Sequence, residues 1–467
     1  MTRLVRELGV ALDLRSVLTS LDDCAHVVLT ENSAQPAARS RWAFLATDPV
    51  YVFHSVRGKC WGGPPGREQR LDDAPLEALA GLLSRRRTSR GADEPPWCSG
   101  AGGYLGYELL HEIEDVPDAK RGVSGPADCR LAFFDAVAAT DLVAGRTWIA
   151  GRDGAATEQL TARLEAARPL SRAGDAPAPR PARVGVTDLA RAEADPVVSR
   201  EDYLSAIAAV DAHLLAGDCY EVCLTQRFDT HFAGSGTALY AALCRTSPAP
   251  HAAYVRTGDV EIACASPELF LRAGTGGAVQ TRPIKGTRPR GLTPGEDARL
   301  AAELAAAEKD AAENLMIVDL SRNDLGRVCE FGSIRVPEMR VVETHAHTHQ
   351  LVSTITGRLR PGVGTVELLR ATFPGGSMTG APKVAAMSII DRLEPVPRGP
   401  YAGSIGWIDD SGALDLNIVI RSLVKTGDVV TFHTGGAIVA DSDPESEYQE
   451  TLDKAAGMLA ALRSVRR

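Results

Sequence analysis

Two pairs of carboxylates sit three residues apart, Asp310 with Glu313 and Glu447 with Glu450. Side chains at that spacing leave one face of an α-helix. Two such helices could hold a hard cation between them. Oxygen-only donors suit magnesium, which takes one or two protein carboxylates and fills its remaining positions with water or substrate oxygens. Each pair on its own also reads as a solvated acidic helix face. Lys285, in QTRPIKGTRPRG, stands between Pro283 and Gly286, on a constrained strand end or turn. There it is either a surface charge or an enclosed amine. Enclosure disfavours the ammonium, lowers the pKa and leaves a nucleophile or base. Glu268, in CASPELFLR, follows Pro267 at the edge of an apolar strand and is either a buried acid or an ordinary edge charge.

These side chains need elements to position them. EDARLAAELAAAEKDAAENLMIVDLSRNDL is rich in Ala, Leu and Glu and predicts one helix from about Pro294 to Leu325, carrying the first acidic pair. Asp443-Pro444, a cap followed by proline in the first turn, opens a second helix through ESEYQETLDKAAGMLAALRSV, carrying the other. YLSAIAAVDAHLLAG predicts a further helix closed by Gly217, and PLEALAGLLSRRR another. HVVLTE, WAFLATDPVYVFHSV, RLAFFDAVAATDL, CYEVCLTQRF and EIACASPELFLRA read as strands. Helices do not alternate strictly with strands, so segregated α+β layers are expected rather than a doubly wound parallel sheet. Residues 167–198 are rich in proline, alanine and charge without apolar period, and predict a linker or exposed crossing. On that division, 1–166 form an N-terminal α+β domain and 199–463 the catalytic domain.

Composition narrows the function. The 467 residues carry a net charge of −9, which argues against nucleic acid as a ligand. A hydrophobic share of 44% and a charged share of 24% are those of a globular chain. The opening MTRLVRELGVALDL has charges where a signal peptide needs an apolar core, and no later run could span a bilayer. A cytoplasmic protein with no membrane partner is expected. The nine cysteines, without paired CxxC spacing, read as reduced and mostly buried thiols.

Three stretches imitate other sites. GAGGYLG at Gly100–Gly106 misses the GxGxxG register of dinucleotide loops and predicts a tight turn. In GGSMTGAPK, Ala381 and Pro382 separate glycine from Lys383, and proline removes an amide that would hold phosphate. His345, His347 and His349 would share one face of a strand, yet no carboxylate or thiol adjoins them in sequence, so a polar strand face is expected rather than a metal site.

Four longer segments carry a resemblance: QTRPIKGTRPRG, AENLMIVDLSRNDLGRV, FPGGSMTGAPKVAAMSIIDRLEPVPRGPYAGSIGW and GGAIVADSDPESEYQETLDKA. In that order they resemble the chorismate-utilising enzymes, the family of anthranilate and aminodeoxychorismate synthase large subunits. The match is dense from about residue 200 to 460, and RWAFLATDP and GGYLGYELLHEIE resemble the family's more variable half. The resemblance implies an α+β fold of two β-rich halves packed as a sandwich-like core with helices outside. Lysine before the Gly-Thr of the PIxGT motif, here Lys285, is typical of the members that convert chorismate and ammonia to 4-amino-4-deoxychorismate, a precursor of 4-aminobenzoate and folate. Members making anthranilate usually have alanine there. Anthranilate synthase, isochorismate synthase and a non-catalytic chorismate-binding subunit are the rival readings.

By the same resemblance, Mg2+ is held by Glu313 and Glu450, with Asp310 and Glu447 acting through water. Lys285 adds to the substrate while Glu268, its pKa raised by burial, protonates the leaving oxygen. Gly286, Thr287, Ser377, Tyr401, Arg421, Gly436 and Ala437 contact chorismate. The planar fork of Arg421 suits a carboxylate. Ammonia is implied to come from a separate glutamine amidotransferase subunit. Two departures stand out. Gln350 occupies the position before LVS where the family commonly has histidine, with His349 one place earlier. VLTENS replaces the LLES-like segment of tryptophan-binding relatives.

Overall fold

The computed structural model describes residues 3–8, 11–34, 40–120, 122–167, 189 and 192–466. Its layers follow from apolar residues on both faces of its strands. In His26–Glu31, Val27 and Leu29 join one hydrophobic cluster and Val28 another. Ala252 and Tyr254 separate from Ala253 and Val255 in the same way on His251–Thr257. Successive side chains point to opposite faces, so such strands must lie between two apolar layers.

Two antiparallel sheets of twelve strands each satisfy that demand among the described residues. Val28, Phe44, Val255 and Ile262 of the first sheet meet Tyr104, Phe134, Ile405 and Trp407 of the second in a shared inner layer. The outer face of the first sheet is covered by helices Gly154–Ala166, Gly236–Thr246 and Pro444–Val465. That of the second is covered by Pro75–Arg86, Glu308–Gly326, Thr365–Thr372 and Lys383–Leu393. The result is the α+β sandwich with outer helices. Each sheet takes strands from both sides of residues 167–198: His26–Glu31 pairs with His251–Thr257, and Gly100–Leu105 with Ser404–Asp409. Residues 168–188 and 190–191 of the expected crossing lie outside the described residues.

The helices at Arg200–Ala216, with Gly217 left-handed at its end, and at Pro444–Val465, with Asp443 capping the amide of Ser446, form where their signals stand. The expected single helix from Pro294 to Leu325 does not. Ala307 is extended, with φ −69° and ψ 109°, and divides it into Pro294–Ala306 and Glu308–Gly326. The first piece buries only Leu304, whereas the second buries Ile317, Val318 and Leu325, so packing on different surfaces overrides a shared helical composition.

GAGGYLG is a central strand rather than a tight turn. A Cβ on Gly103 would lie 2.2 Å from the Arg130 carbonyl oxygen, and one on Gly100 2.3 Å from that of Ile408. Close approach of neighbouring backbones, not chain reversal, explains these glycines. The three histidines do not share a strand face either. Only His349 lies on a strand, Thr348–Arg358, where it meets Thr344 and Asp297 at 2.9 Å each, while His345 and His347 stand in the turn before it. Lys383 is occupied by Asp324 at 2.6 Å and the Thr372 carbonyl at 3.0 Å. All nine cysteines are free and buried. Among the described residues no helix is long and apolar enough to cross a membrane.

Candidate active site

The site lies where the edge of one sheet meets an edge of the other. Lys285 is on Ile284–Pro289, the outermost strand of the second sheet. A bulge between Ile284 and Thr287 interrupts its pairing with Thr348–Arg358, and Gly286 within it has φ +85°. A bulge re-aims the side chain it carries. Lys285 turns inward, is 8% exposed, and donates a hydrogen bond to Glu221 Oε1. Glu221 opens strand Glu221–His231 of the first sheet and is wholly buried, so this ion pair joins the two sheets.

The protonation of Lys285 differs from the sequence expectation. Burial alone would lower its pKa, but the carboxylates of Glu221 and Glu313 outweigh that effect and raise it. The resting side chain is therefore an ammonium. Glu268 follows the opposite logic. Burial raises its carboxyl to about 7, against the smaller opposing effects of the Ser377 hydroxyl, which donates to Oε1 at 2.6 Å, and of the Lys285 charge. A carboxyl that half-titrates near neutrality is suited to general acid chemistry.

Ser377 is fixed by a buried network. Arg398 donates to both oxygens of Glu394, at 2.8 and 2.6 Å, and to the carbonyls of Met378 and Cys223 at 2.7 Å. Glu394 also accepts from the Thr225 amide and hydroxyl at 2.9 Å. One charge pair thus ties strand Glu221–His231, the Ser377 turn and the loop leading to Tyr401. Tyr401 stacks on His433, with centroids 4.9 Å apart and 13° between planes.

Arg421 has φ +51° and forms no ion pair among the described residues. Burial without a compensating carboxylate lowers its pKa, so a charge-bearing fork stands ready for an anion. Gly436 and Ala437 lie on Val429–Ile438, opposite Leu224 and Cys223. Thr287 pairs with Gln350, which is buried and whose Oε1 has no hydrogen-bond partner among the described residues.

The acidic pairs come from helices Glu308–Gly326 and Pro444–Val465. Asn314 docks the first helix, accepting from Ser353 at 2.6 Å. Lys309 reaches Glu447 at 3.3 Å and Glu313 at 4.0 Å, so two carboxylates, one from each helix, converge on one ammonium. Lys454 holds Glu450 at 2.6 Å, and Arg288 holds Asp310 at 2.8 Å. A Cβ on Gly436 would fall 2.9 Å from Glu447 Oε2 and 3.5 Å from Glu450 Oε1, so the missing side chain keeps the space before both carboxylates open. Burial raises Glu313 to about 7. Among the described residues no group of three or more His, Cys, Asp or Glu side chains is placed to hold a metal ion by itself. Oxygen-only donors, an open cradle and an ammonium standing between Glu313 and Glu447 fit a hard cation that completes its shell with substrate or water.

Sequence reasoning missed Glu221, Glu394 and Arg398. A carboxylate entering the apolar stretch EVCL was the available signal for Glu221, and the i, i+4 acid-base pair flanking PVP that for the other two.

The chain matches the chorismate binding enzyme family over residues 26–460, and it belongs to that family. It is 45% identical over 371 residues to the aminodeoxychorismate synthase of Streptomyces pristinaespiralis, covering 77% of this chain and 50% of that protein. It is 35% identical over 438 residues to aminodeoxychorismate synthase component 1 of Escherichia coli K12, covering 91% and 90%. The crystal structure of anthranilate synthase component I from Streptococcus pneumoniae TIGR4 superposes with a TM-score of 0.75 at 29% identity, covering 91% of this chain and 93% of that one. The chain spans about half the length of the two Streptomyces relatives it matches.

Proposed function

We propose that the chain is the chorismate-aminating component of an aminodeoxychorismate synthase, converting chorismate and ammonia to 4-amino-4-deoxychorismate and water. The enclosure of Lys285 beside Glu268 is the observation that carries this reading. The C4 hydroxyl of chorismate is a poor leaving group and needs a proton donor, an electron sink and a nucleophile. Lys285 adds at C2, the ring double bonds shift toward C4, and Glu268 gives its proton to the departing C4 oxygen. Ammonia then attacks C4, the double bonds shift back, and Lys285 leaves. Arg421 holds a substrate carboxylate, Tyr401 and Ser377 line the ring, and the amides near Gly436 and Ala437 receive the second carboxylate. Glu313 and Glu450, with Asp310 and Glu447 through water, would hold Mg2+, which as a Lewis acid polarises the ring carboxylate when bound.

Ammonia comes from a glutamine amidotransferase partner, and free ammonium replaces it in vitro. Nine unpaired cysteines support a reducing, cytoplasmic setting. The deciding experiment is incubation with chorismate, Mg2+ and ammonium followed by mass identification of the product. 4-Amino-4-deoxychorismate is expected; anthranilate or isochorismate would overturn the assignment, and no turnover would favour a binding subunit.

A further inference from the structure

An ammonium cannot attack carbon, so the resting Lys285 has to give up a proton before it can act as a nucleophile. Glu221 Oε1 is the acceptor of the Lys285 hydrogen bond, and Glu221 Oε2 is buried with no hydrogen-bond partner among the described residues. A carboxylate stripped of water on one oxygen and committed to an ammonium on the other is a ready proton acceptor once that ammonium is needed as an amine. We infer that Glu221 is the base that takes the proton from Lys285 and returns it at the end of the cycle.

The other charged and titratable groups facing the pair are less suited. Glu313, from helix Glu308–Gly326, acts on Lys285 through space without a hydrogen bond. Glu268 has to keep its proton for the C4 oxygen. Cys223, two residues along the strand of Glu221, is a thiol pushed up by burial. From helix Pro444–Val465, Lys454 is a cation and Glu450 is bound to it.

The transfer balances. The Lys285 N–H bond breaks and an O–H bond forms on Glu221, leaving a neutral amine and a neutral acid. The amine pair forms the N–C2 bond as the C4–O bond breaks, with the Glu268 proton leaving in water. When ammonia has bonded to C4, the N–C2 bond breaks, the new C4 ammonium gives a proton to Glu268, and Lys285 recovers its own from Glu221. The inference rests on the lysine-adduct reading above.

The test compares the full chain with Glu221→Gln and Glu221→Asp, assayed with chorismate, Mg2+ and ammonium from pH 6.5 to 9.5. A positioned base is worth about 10²- to 10⁴-fold, so Glu221→Gln should lose at least about 100-fold in kcat at pH 7 with little change in KM. The ratio of its kcat to that of the unsubstituted chain, which cancels the Glu268 limb, should then climb with pH as solvent takes over the proton while Glu313 still faces the ammonium. A ratio near one at pH 7 would mean that Lys285 needs no base and would overturn the inference. Glu221→Asp keeps a base and should show a smaller loss without the climb. A loss independent of pH in Glu221→Gln, or the climb appearing in Glu221→Asp, would overturn the inference, and a Glu221→Gln chain that does not fold leaves the Asp variant to decide. Mass spectrometry of the unsubstituted chain separates the two ideas: turnover with no adduct on Lys285 removes the nucleophile reading, whatever Glu221 does.

Discussion

The hydroxyl of Ser377 donates a 2.6 Å hydrogen bond to Glu268 across 109 residues of sequence. That bond favours the ionised carboxylate, while burial favours the acid and prevails, leaving Glu268 near 7. Ser377→Ala removes the opposing effect. The descending alkaline limb of kcat should move to higher pH in this variant, and a limb that stays in place would disconnect Ser377 from the acid.

Glu268 also links stability to pH. Its folded pKa lies above the ordinary 4.5, so its contribution is fully present below about pH 4.5 and is lost as pH rises toward 7. Glu268→Gln is neutral throughout. Its melting temperature relative to the unsubstituted chain should therefore be higher at pH 8 than at pH 4.5, and an equal difference at both would contradict the raised carboxyl.

Arg421 offers a contrast of sign. Hydrogen bonds to charged groups are worth about 1.5–3 kcal/mol, so Arg421→Ala should raise the KM for chorismate by about 10- to 100-fold. No protein carboxylate loses a partner, and denaturant unfolding should show no loss of stability. A strong destabilisation would mean that the guanidinium is structural.

Glu450→Gln removes one of the charges grouped around Lys309 and Lys454. Activity and affinity for Mg2+ should fall together, by about tenfold or more in half-saturating Mg2+, judging from losses when even outer partners of a metal are removed. An unchanged magnesium titration would return the acidic pairs to solvated helix surface.

Arg398→Met leaves Glu394 charged and buried. Breaking one side of such a pair costs about 3–5 kcal/mol, measurable by urea unfolding. Joint replacement of Arg398 and Glu394 by apolar residues should recover much of that loss while leaving activity low, because the Ser377 turn and the Tyr401 loop would no longer be fixed.

Much of the architecture was legible along the chain because helix caps and strand alternation are local signals. Asp443-Pro444 and Gly217 marked helix ends, and runs such as HVVLTE marked strands. Ala307 was not legible, since neither glycine nor proline marks the break and only the packing of the two pieces requires it. GAGGYLG misled for a related reason, because glycines chosen for close sheet contact look the same in sequence as glycines chosen for a turn.

By itself the sequence determined the chemical inventory: an amine at Lys285, an acid at Glu268, and carboxylates paired at helical spacing. Only the tertiary structure decided the state of that inventory. Glu221 lies 64 residues before Lys285 and on the other sheet, yet its charge, with that of Glu313, outweighs burial and raises the pKa of the amine. Residue type sets an intrinsic proton affinity, but the charges and the solvent that act on it are brought together by folding.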